Sequence, residues 1–561
     1  MDKRAIMVGP ILALALAAMP ARAEPITIDS GRIEGSQEGG IRVFKGIPYA
    51  APPVGRLRWR PPQPASSWQG VRYATSFSPA CPQLGNYPPD APDEATSEDC
   101  LTLNVWAPAN KGAGKLPVMV WIHGGGLMNG SGSLPQYSGN RLAAQGVIVV
   151  TINYRLGVLG FLAHPELNRE SRHGGSGNYG LLDQIAALKW VNRNIAAFGG
   201  DPSRVTVFGQ SSGSFSASML VASPMAKGLF HRAIGQSGAV FEPVELDPRF
   251  TPEGAAEAGA DFTNRAGAKS LADLRKMPVA VLLKQSFNPQ FNVDGHVIPA
   301  APHDAYAAGK QNDVDLLIGT NESEGTFFFD AASVTVGNFD AVLGRTYPSL
   351  LLKAVGASPG RTDADARAAA VAIDSDMRFR WGMWAWANHA LRSTNRRVFF
   401  YRFRQQAAYR VSHPYFGLGS THGAELPFVF GDLDGRAAAW TNEDQELAST
   451  IQQYWVNFAK SGDPNGHGLP RWPRFDQEQS LVMDLGPELR PMPLGDRSRL
   501  QRIDRVYGVA RFVNKHLYGV IAAGLVLVIL AMTLLYRVLL RLKARFISKR
   551  HEPATISLPA A

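Results

Sequence analysis

Cysteine is scarce in this sequence, and the common cofactor-binding motifs are missing from it. Two of the 561 residues are cysteines. We find no cluster of metal-ligating side chains, no phosphate-binding loop, no dinucleotide fingerprint and no internal repeat in the sequence. The sequence therefore implies neither a metal nor a cofactor.

Net charge is also scarce outside the two ends of the chain. The formal net charge is +10, of which residues 1–23 carry +2 and residues 537–561 carry +5, which leaves +3 for the body between them. No basic stripe with interleaved aromatic residues occurs in that body. Nucleic acid is therefore excluded as a partner.

The N-terminal residues have the composition of a secretory signal peptide. Two basic residues precede a mostly apolar stretch over residues 5–19, and a small-x-small cleavage site follows at Ala21-Arg22-Ala23. The sequence predicts a signal peptide over residues 1–23. The alternative is a buried N-terminal helix.

A long apolar run near the C-terminus predicts one transmembrane helix. Residues 517–536 contain no charge and would form a helix of about 30 Å, which matches the hydrocarbon core of a bilayer. The basic residues 537–561 follow directly and would stay in the cytoplasm by the positive-inside rule. We therefore expect a linker over residues 487–516 and a body, residues 24–486, that faces the periplasm or the exterior. A buried core helix is the alternative.

The two cysteines, Cys81 and Cys100, are expected to form a disulfide bond if the chain is exported. Closing a loop of this size stabilises a fold by about 3 kcal/mol in the chain-entropy estimate. Two unpaired buried thiols are the alternative.

A Gly-x-Ser-x-Gly motif follows an apolar run in the middle of the chain. Residues 205–208 predict a buried strand, Gly209-Gln210-Ser211-Ser212-Gly213 follows, and small or apolar residues then predict a helix. A sharp strand-to-helix turn needs glycine on both sides and exposes the central serine above the sheet. Ser211 is therefore a candidate nucleophile.

A second glycine-rich turn comes earlier in the chain. Residues 116–122 predict a buried strand that ends in His123-Gly124-Gly125-Gly126. Three glycines leave backbone N–H groups free to point at a ligand, although a flexible turn has the same composition. The alternation of strands and helices from here to the serine predicts an α/β fold with a mainly parallel sheet covered on both faces.

The partners of a serine nucleophile are expected downstream, in the order acid and then histidine. A short predicted strand, residues 316–319, leads into a turn with two carboxylates, Glu322 and Glu324. A later glycine-rich loop contains His422. A histidine in such a loop is commonly only solvated, but its position after an elbow and an acid favours a catalytic role.

With these motifs in place, the chain resembles the type B carboxylesterases, which include bacterial para-nitrobenzyl esterases, liver carboxylesterases and cholinesterases. The resemblance covers residues 28–475 and rests on six motifs, at residues 98–104, 123–126, 177–213, 293–295, 319–325 and 422–428. It implies an α/β-hydrolase fold, a large central and mostly parallel sheet flanked by helices. It also implies hydrolysis of carboxylic esters through an acyl-enzyme, with no cofactor.

The resemblance assigns roles to individual residues. It makes Ser211 the nucleophile, His422 the general base and Glu324 the acid, with Glu322 as the alternative acid. The remaining assignments are the oxyanion donors Gly125, Gly126 and the N–H of Ser212, the supporting Ser237 near the acid, the Cys81–Cys100 disulfide, and the pocket residues Phe287, Phe327 and Phe328. The three phenylalanines could equally be core residues.

The elbow departs from the family pattern at two positions. Gln210 stands where the family commonly has Glu, so a negative charge beside the nucleophile is missing, and Ser212 replaces the usual Ala. The loop between the cysteines also has no tryptophan to receive a quaternary ammonium. The missing negative charge at Gln210 and the missing tryptophan argue against choline esters and favour neutral apolar or aryl esters, whereas Ser212 would act only through its backbone N–H.

Two other functions remain open at this stage. One is a non-catalytic adhesion or receptor protein on the same fold, against which the complete triad argues. The other is a specialised hydrolase of polyesters, lactones or a mycotoxin ester. The sequons at Asn129 and Asn321 lie on the oxyanion and acid loops, where a glycan would crowd the site. We therefore expect a bacterial source.

Overall fold

A computed structural model describes residues 21–85, 92–110, 114–393, 396–433 and 438–549 of the chain. The chain divides into two compact units, one up to Asp504 and one from Arg505 onward. Most of the expected signal peptide, residues 1–20, lies outside the described residues.

The first unit contains a 12-stranded sheet and a small three-stranded sheet. The strands of the large sheet, in spatial order, are β1 (Ala21–Arg22), β4 (Ser36–Glu38), β5 (Ile41–Pro48), β7 (Thr102–Pro108), β9 (Ile148–Ile152), β8 (Leu116–Ile122), β10 (Gly200–Gln210), β11 (Arg232–Gln236), β12 (Asp315–Asn321), β13 (Val398–Phe403), β14 (Leu481–Leu485) and β15 (Arg490–Pro493). The small sheet contains β2 (Ile26–Ile28), β3 (Gly31–Glu34) and β6 (Val71–Tyr73). From β9 to β14 every neighbouring pair is parallel, as the sequence predicts.

α-Helices lie between many of these strands and follow the last one. They are α1 (Asn140–Ala143), α2 (Gly157–Phe161), α3 (Pro165–Glu170), α4 (Tyr179–Asn194), α5 (Ser212–Ala222), α6 (Pro252–Arg265), α7 (Leu271–Lys276), α8 (Val279–Leu283), α9 (Pro302–Ala307), α10 (Phe339–Leu343), α11 (Ser349–Ala354), α12 (Asp363–Ser375), α13 (Trp381–Ser393), α14 (Leu426–Phe430), α15 (Asn442–Ser461), α16 (Arg497–Lys515) and α17 (Leu517–Lys549). A π-helical turn, Asp376–Arg380, joins α12 to α13.

The two faces of the large sheet are both covered by helices. Successive side chains of a strand point to opposite faces. On one face Ile234 belongs to a core with Ile451 and Trp455 of α15. On the other face the next residue, Gly235, lies against Trp386 of α13, and a Cβ there would come within 2.7 Å of its ring. The predicted two-sided α/β architecture is confirmed.

The cysteines form the expected disulfide bond, with Cα atoms 5.0 Å apart. The loop that it closes contacts the glycine-rich turn after β8. Gln83 accepts a hydrogen bond from the N–H of Gly130 at 2.7 Å and donates one to the carbonyl of Gly130 at 3.1 Å. The disulfide therefore anchors a segment that supports the second glycine motif.

Residues 487–516, expected to be a linker, contain β15 and the whole of α16. Leu494, Leu500 and Ile503 are buried, and Arg499 pairs with the buried carboxylate of Asp376. The composition of this segment does not indicate that it packs on the body, because its buried apolar residues are three to six positions apart among charged side chains.

The second unit holds one segment that is long and apolar enough to cross a membrane, among the described residues. It is Gly524–Leu542 within α17, with a mean hydropathy of 2.2. The segment extends past Arg537 and Arg541 because Val538, Leu539 and Leu540 continue the apolar run. The sequence expectation placed the span at residues 517–536, slightly nearer the N-terminus.

Candidate active site

The elbow serine lies on a sharp turn between β10 and α5. Ser211 has a φ of 55° and a ψ of −125°, a conformation that side chains other than glycine rarely adopt. Its N–H donates to the Gln236 carbonyl at 2.8 Å, which holds the strained residue against β11. The start of α5 lies so close to the end of β8 that a Cβ on Gly213 would overlap the carbonyl oxygen of Ile122. Any residue larger than glycine at position 213 would therefore clash with the main chain of β8.

The glycine turn after β8 runs directly past this serine. A Cβ on Gly124 would come within 3.1 Å of the Ser211 Cβ. Gly125 and Gly126 have φ values of 107° and 64°, and the Gly125 carbonyl accepts from the N–H groups of Met128 and Asn129 at 3.0 Å. Ser212 is the first residue of α5, so its N–H is not used within the helix. The predicted oxyanion donors and the serine thus belong to adjoining turns.

A buried network joins the predicted acid to the predicted base. His422 Nδ1 lies 2.6 Å from Glu324 Oε2. The other oxygen of Glu324 accepts from the Ser237 hydroxyl at 2.5 Å and from the N–H of Asn321 at 2.7 Å. The Glu324 carboxylate can only accept, so Nδ1 carries the imidazole proton and Nε2 presents a lone pair.

The alternative acid lies elsewhere. The Glu322 side chain is 44% exposed and lies 3.3 Å from the guanidinium of Arg402 on β13, whereas Glu324 is fully buried. Burial lowers the pKa of Arg402 to about 10, still high enough for the side chain to remain charged at neutral pH. The structure therefore brings Glu324, and not Glu322, to His422.

The Nε2 atom of His422 faces the elbow, where its nearest polar contact is Gln210. Gln210 Nε2 lies 3.1 Å away, and this amide is fully buried. Among the described residues, the Ser211 hydroxyl makes no hydrogen bond in this resting arrangement. Catalytic hydrogen bonds are often long or poorly aligned before substrate binds, so this arrangement is compatible with a serine–histidine pair that forms on substrate binding.

Three phenylalanines surround the imidazole. Phe379, in the π-helical turn, stacks on it with ring centroids 4.4 Å apart and planes at 18°. Phe328 and Phe327 lie 5.2 and 6.0 Å away. Phe287 packs instead against Phe262 in a separate cluster. The sequence reasoning selected Phe327 and Phe328 but missed Phe379, whose position depends on the π-helical turn.

Two further titratable groups are buried beside the site. Burial lowers the pKa of His123 to about 4, and its ring stacks on Tyr154, 4.4 Å away. Burial, and then the nearby Glu324, raise the pKa of Glu425. Glu425 accepts from Asn321 Nδ2 at 2.6 Å and from Gln236 Nε2 at 2.9 Å. The described residues contain no group of three or more side chains arranged to hold a metal ion.

The asparagines of the two sequons, Asn129 and Asn321, both use their side-chain amides in hydrogen bonds. Asn321 is fully buried, and its Nδ2 donates to Thr421 as well as to Glu425. The Nδ2 of Asn129 donates to the Leu84 carbonyl at 2.6 Å. A glycan on Asn321 is therefore incompatible with this folded arrangement.

A strained serine above a two-sided parallel sheet, next to a carboxylate–histidine pair, defines an α/β-hydrolase. The profile of the carboxylesterase family matches residues 22–502, and the chain belongs to that family. It is 40% identical over 475 residues to a fumonisin B1 esterase of Sphingopyxis macrogoltabida, covering 81% of this chain and 85% of that protein.

Other relatives agree with this assignment. A para-nitrobenzyl esterase of Bacillus subtilis is 38% identical over 82% of this chain and 94% of its own length. A solved structure of a para-nitrobenzyl esterase has a TM-score of 0.74 at 37% identity, covering 85% of this chain and 99% of that one. The resemblance seen in the sequence is confirmed, and the protein is a serine hydrolase of carboxylic esters.

Proposed function

We propose that Ser211, His422 and Glu324 form the catalytic triad of this esterase. The observation that carries the assignment is the 2.6 Å contact between Glu324 and His422 Nδ1, because it leaves the Nε2 lone pair toward the elbow. Nε2 takes the proton of the Ser211 hydroxyl as its oxygen attacks the ester carbonyl carbon. Glu324 keeps its charge throughout and stabilises the imidazolium.

The oxyanion that forms on the carbonyl oxygen accepts hydrogen bonds from the N–H groups of Gly125, Gly126 and Ser212. The tetrahedral intermediate collapses, His422 protonates the departing alcohol, and an acyl-enzyme on Ser211 remains. Water, deprotonated by His422, then attacks the acyl carbon and releases the acid. Each donor contributes about 10²–10³ in rate in enzymes of this kind.

The substrates that we propose are neutral esters with apolar or aryl groups. Phe327, Phe328 and Phe379 give the surroundings of His422 an apolar character. Phe328 is 37% exposed, so its ring is accessible to a substrate. The 40% identity to a fumonisin B1 esterase favours a toxin ester as a second, more specialised substrate.

The test is hydrolysis of para-nitrophenyl acetate and butyrate by the full chain in detergent, beside Ser211→Ala. We expect the substitution to lower kcat/KM by about 10⁴-fold or more. Ser203→Ala, which removes an exposed hydroxyl from the same strand, is the matched control and should retain full activity. Undiminished activity of Ser211→Ala would refute the triad. Fumonisin B1 assayed in parallel distinguishes the general from the specialised substrate.

We also propose that the protein is exported and held by one membrane anchor, with its basic C-terminal residues in the cytoplasm. The signal-like residues 1–23 and the apolar segment Gly524–Leu542 support this arrangement. Membrane fractions should keep the activity after alkaline extraction, and a chain that ends before α17 should be released. Release of the full chain by alkali would contradict the anchor.

A further inference from the structure

We propose that Arg499, in the first turn of α16, is a positioning residue for the base, because it holds the π-helical turn whose Phe379 stacks on the His422 imidazole. This role rests on the proposed role of His422 as the general base. Arg499 lies after the last of the six motifs that carry the family resemblance, residues 422–428. The segment after those motifs thus supports the reaction through the base, and not through contact with the substrate.

The π-helical turn has a charged side chain at each end. It begins at Asp376 and ends at Arg380, and both side chains are buried. The Nη1 group of Arg380 donates to Asp376 Oδ1. Its Nη2 group donates to the Glu322 carbonyl at 3.2 Å, which joins this end to the loop of the proposed acid. Phe379 lies within the turn, so the position of its ring depends on how the two ends are held.

Arg499 holds the other end from a different part of the chain. Its Nε donates to Asp376 Oδ2, the carboxylate oxygen that Arg380 does not contact. Its Nη2 lies 3.4 Å from Asp496, whose carboxylate also lies 3.7 Å from Arg380. The neighbouring Leu500 is buried, so this turn of α16 is packed on the body. The start of α16 therefore completes a cluster of two acidic and two basic side chains around the π-helical turn.

A turn of this kind needs support from the rest of the fold. π-Helical turns are rare and occur mostly as single turns inside α-helices, as between α12 and α13. Successive side chains of a helix point about 100° apart, so a shift of the turn by one residue would direct the Phe379 ring away from the imidazole. Without Arg499, one oxygen of the buried Asp376 carboxylate would lose its donor, which is destabilising. The turn is then expected to shift until that oxygen finds water or another donor.

The experiment is a double-mutant cycle with Arg499→Met and Phe379→Leu in the full chain in detergent, with para-nitrophenyl butyrate as substrate. Active sites are titrated with a phosphonate ester, so that kcat is obtained per active site. We expect Arg499→Met to lower kcat about 2–10-fold, the range for the loss of an aromatic contact, with nearly constant KM. In the Phe379→Leu background the same substitution should lower kcat no further, because the ring that Arg499 positions is already absent.

Arg502→Met is the matched control. Arg502 follows Arg499 by three residues in α16, and its Nε donates to the Val355 carbonyl at 3.0 Å and not to the π-helical turn. This variant should lower the unfolding midpoint and keep full kcat per titrated site. A merely structural role of Arg499 would give the same result as the control, with fewer active sites or a lower midpoint but an unchanged kcat.

Full kcat per site in Arg499→Met would overturn the proposal, and so would a fall as large in the Phe379→Leu background as in the native chain. If Arg499→Met does not fold, Arg499→Lys replaces it. Lysine keeps a cation for Asp376 but lacks the planar guanidinium, so it should lower kcat in the native background only, and the same two comparisons decide. A failed triad is recognised separately, because Ser211→Ala would then retain activity whatever stands at position 499.

Discussion

The two sides of the active site are built in different ways. On the nucleophile side, Ser211 and the turn of Gly125 are fixed by backbone geometry, with positive φ angles and contacts that leave no room for a Cβ. On the base side, His422 lies in a loop before α14 and is held by the Glu324 carboxylate, the Gln210 amide and the Phe379 ring. Backbone therefore positions the proposed nucleophile, whereas side chains position the proposed base.

This difference predicts how each side tolerates substitution. On the nucleophile side, a Cβ added at Gly125 or Gly213 has to displace main chain, so its effect should be abrupt. A side chain changed on the base side removes one of several restraints, so effects should be graded by the strength of the lost interaction. The acid is the strongest of these restraints, because its contact joins charged or hydrogen-bonded atoms in a buried site.

Among the restraints compared here, the largest effect is expected for Glu324→Gln. The amide either presents an N–H to Nδ1 or binds it weakly, which disfavours the tautomer that directs the lone pair of Nε2 toward Ser211. We expect kcat/KM for para-nitrophenyl butyrate to fall about 10³–10⁴-fold, as for other triads whose acid becomes an amide. Glu322→Gln is the matched control, since its partly exposed pair with Arg402 lies outside this network. Equal losses in both variants would contradict the assignment.

The next effect concerns the backbone side and compares two neighbouring glycines. A Cβ on Gly125 would overlap the Asn129 carbonyl, whereas a Cβ on Gly126 has nothing within 4 Å. Both residues have positive φ. Gly125→Ala should displace the turn and lower kcat about 10²–10³-fold, the effect of losing an oxyanion donor.

Gly126→Ala carries only the strain of the left-handed conformation, about 1–2 kcal/mol, and should keep most of kcat with a lowered unfolding midpoint. Active-site titration with a phosphonate ester and thermal unfolding separate the two quantities. If both variants lost activity equally, steric overlap with Asn129 would not explain the loss of kcat in Gly125→Ala.

Much of the nucleophile side could be predicted from sequence because its signals are local. The glycines of residues 209–213 and the apolar strand before them indicate the elbow within a few residues. The contact between Gln210 and His422 joins residues 212 apart, and Phe379 reaches the imidazole only through a π-helical turn. No periodicity in the sequence indicates such a turn, so the base side could be predicted only for residues within known motifs.

The predicted linker shows the same limit. Residues 487–516 were expected to link the body to the membrane span because they are polar and contain several prolines and arginines. Arg499 nevertheless pairs with Asp376, in the π-helical turn that also holds Phe379. A buried partner far away in the chain gives a charged residue a structural role that composition cannot show.

A smaller effect is expected for His123, which supports the nucleophile side. Burial lowers its pKa to about 4 from an ordinary 6.5. The imidazole of His123 thus has a lower pKa in the folded chain than in the unfolded chain, so the unfolded chain binds the proton at a higher pH. The stability of the fold therefore decreases as the pH falls from about 6.5 towards 4. Between pH 7 and pH 5 this group should cost about 2 kcal/mol of unfolding free energy.

His123→Asn should remove that part of the acid destabilisation, measured by urea unfolding at the two pH values. The exposed His467 provides the control, since His467→Asn should leave the pH dependence unchanged. An unaltered dependence in His123→Asn would mean that the protonation of this buried ring is not linked to unfolding.

The smallest effect tests the weakest restraint on the base side. Phe379→Leu keeps an apolar side chain but removes the ring that stacks on His422. Aromatic pairs contribute about 0.5–1.5 kcal/mol beyond the area they bury, so kcat should fall about 2–10-fold while KM stays nearly constant. The control is Phe475→Leu, which disrupts a buried pair with Phe400 at 5.4 Å. It should lose as much stability as Phe379→Leu but keep its kcat. A fall in kcat as large as that of Glu324→Gln would mean that stacking, and not the carboxylate, is the main restraint on the base, and the graded order of the side-chain contacts would be wrong.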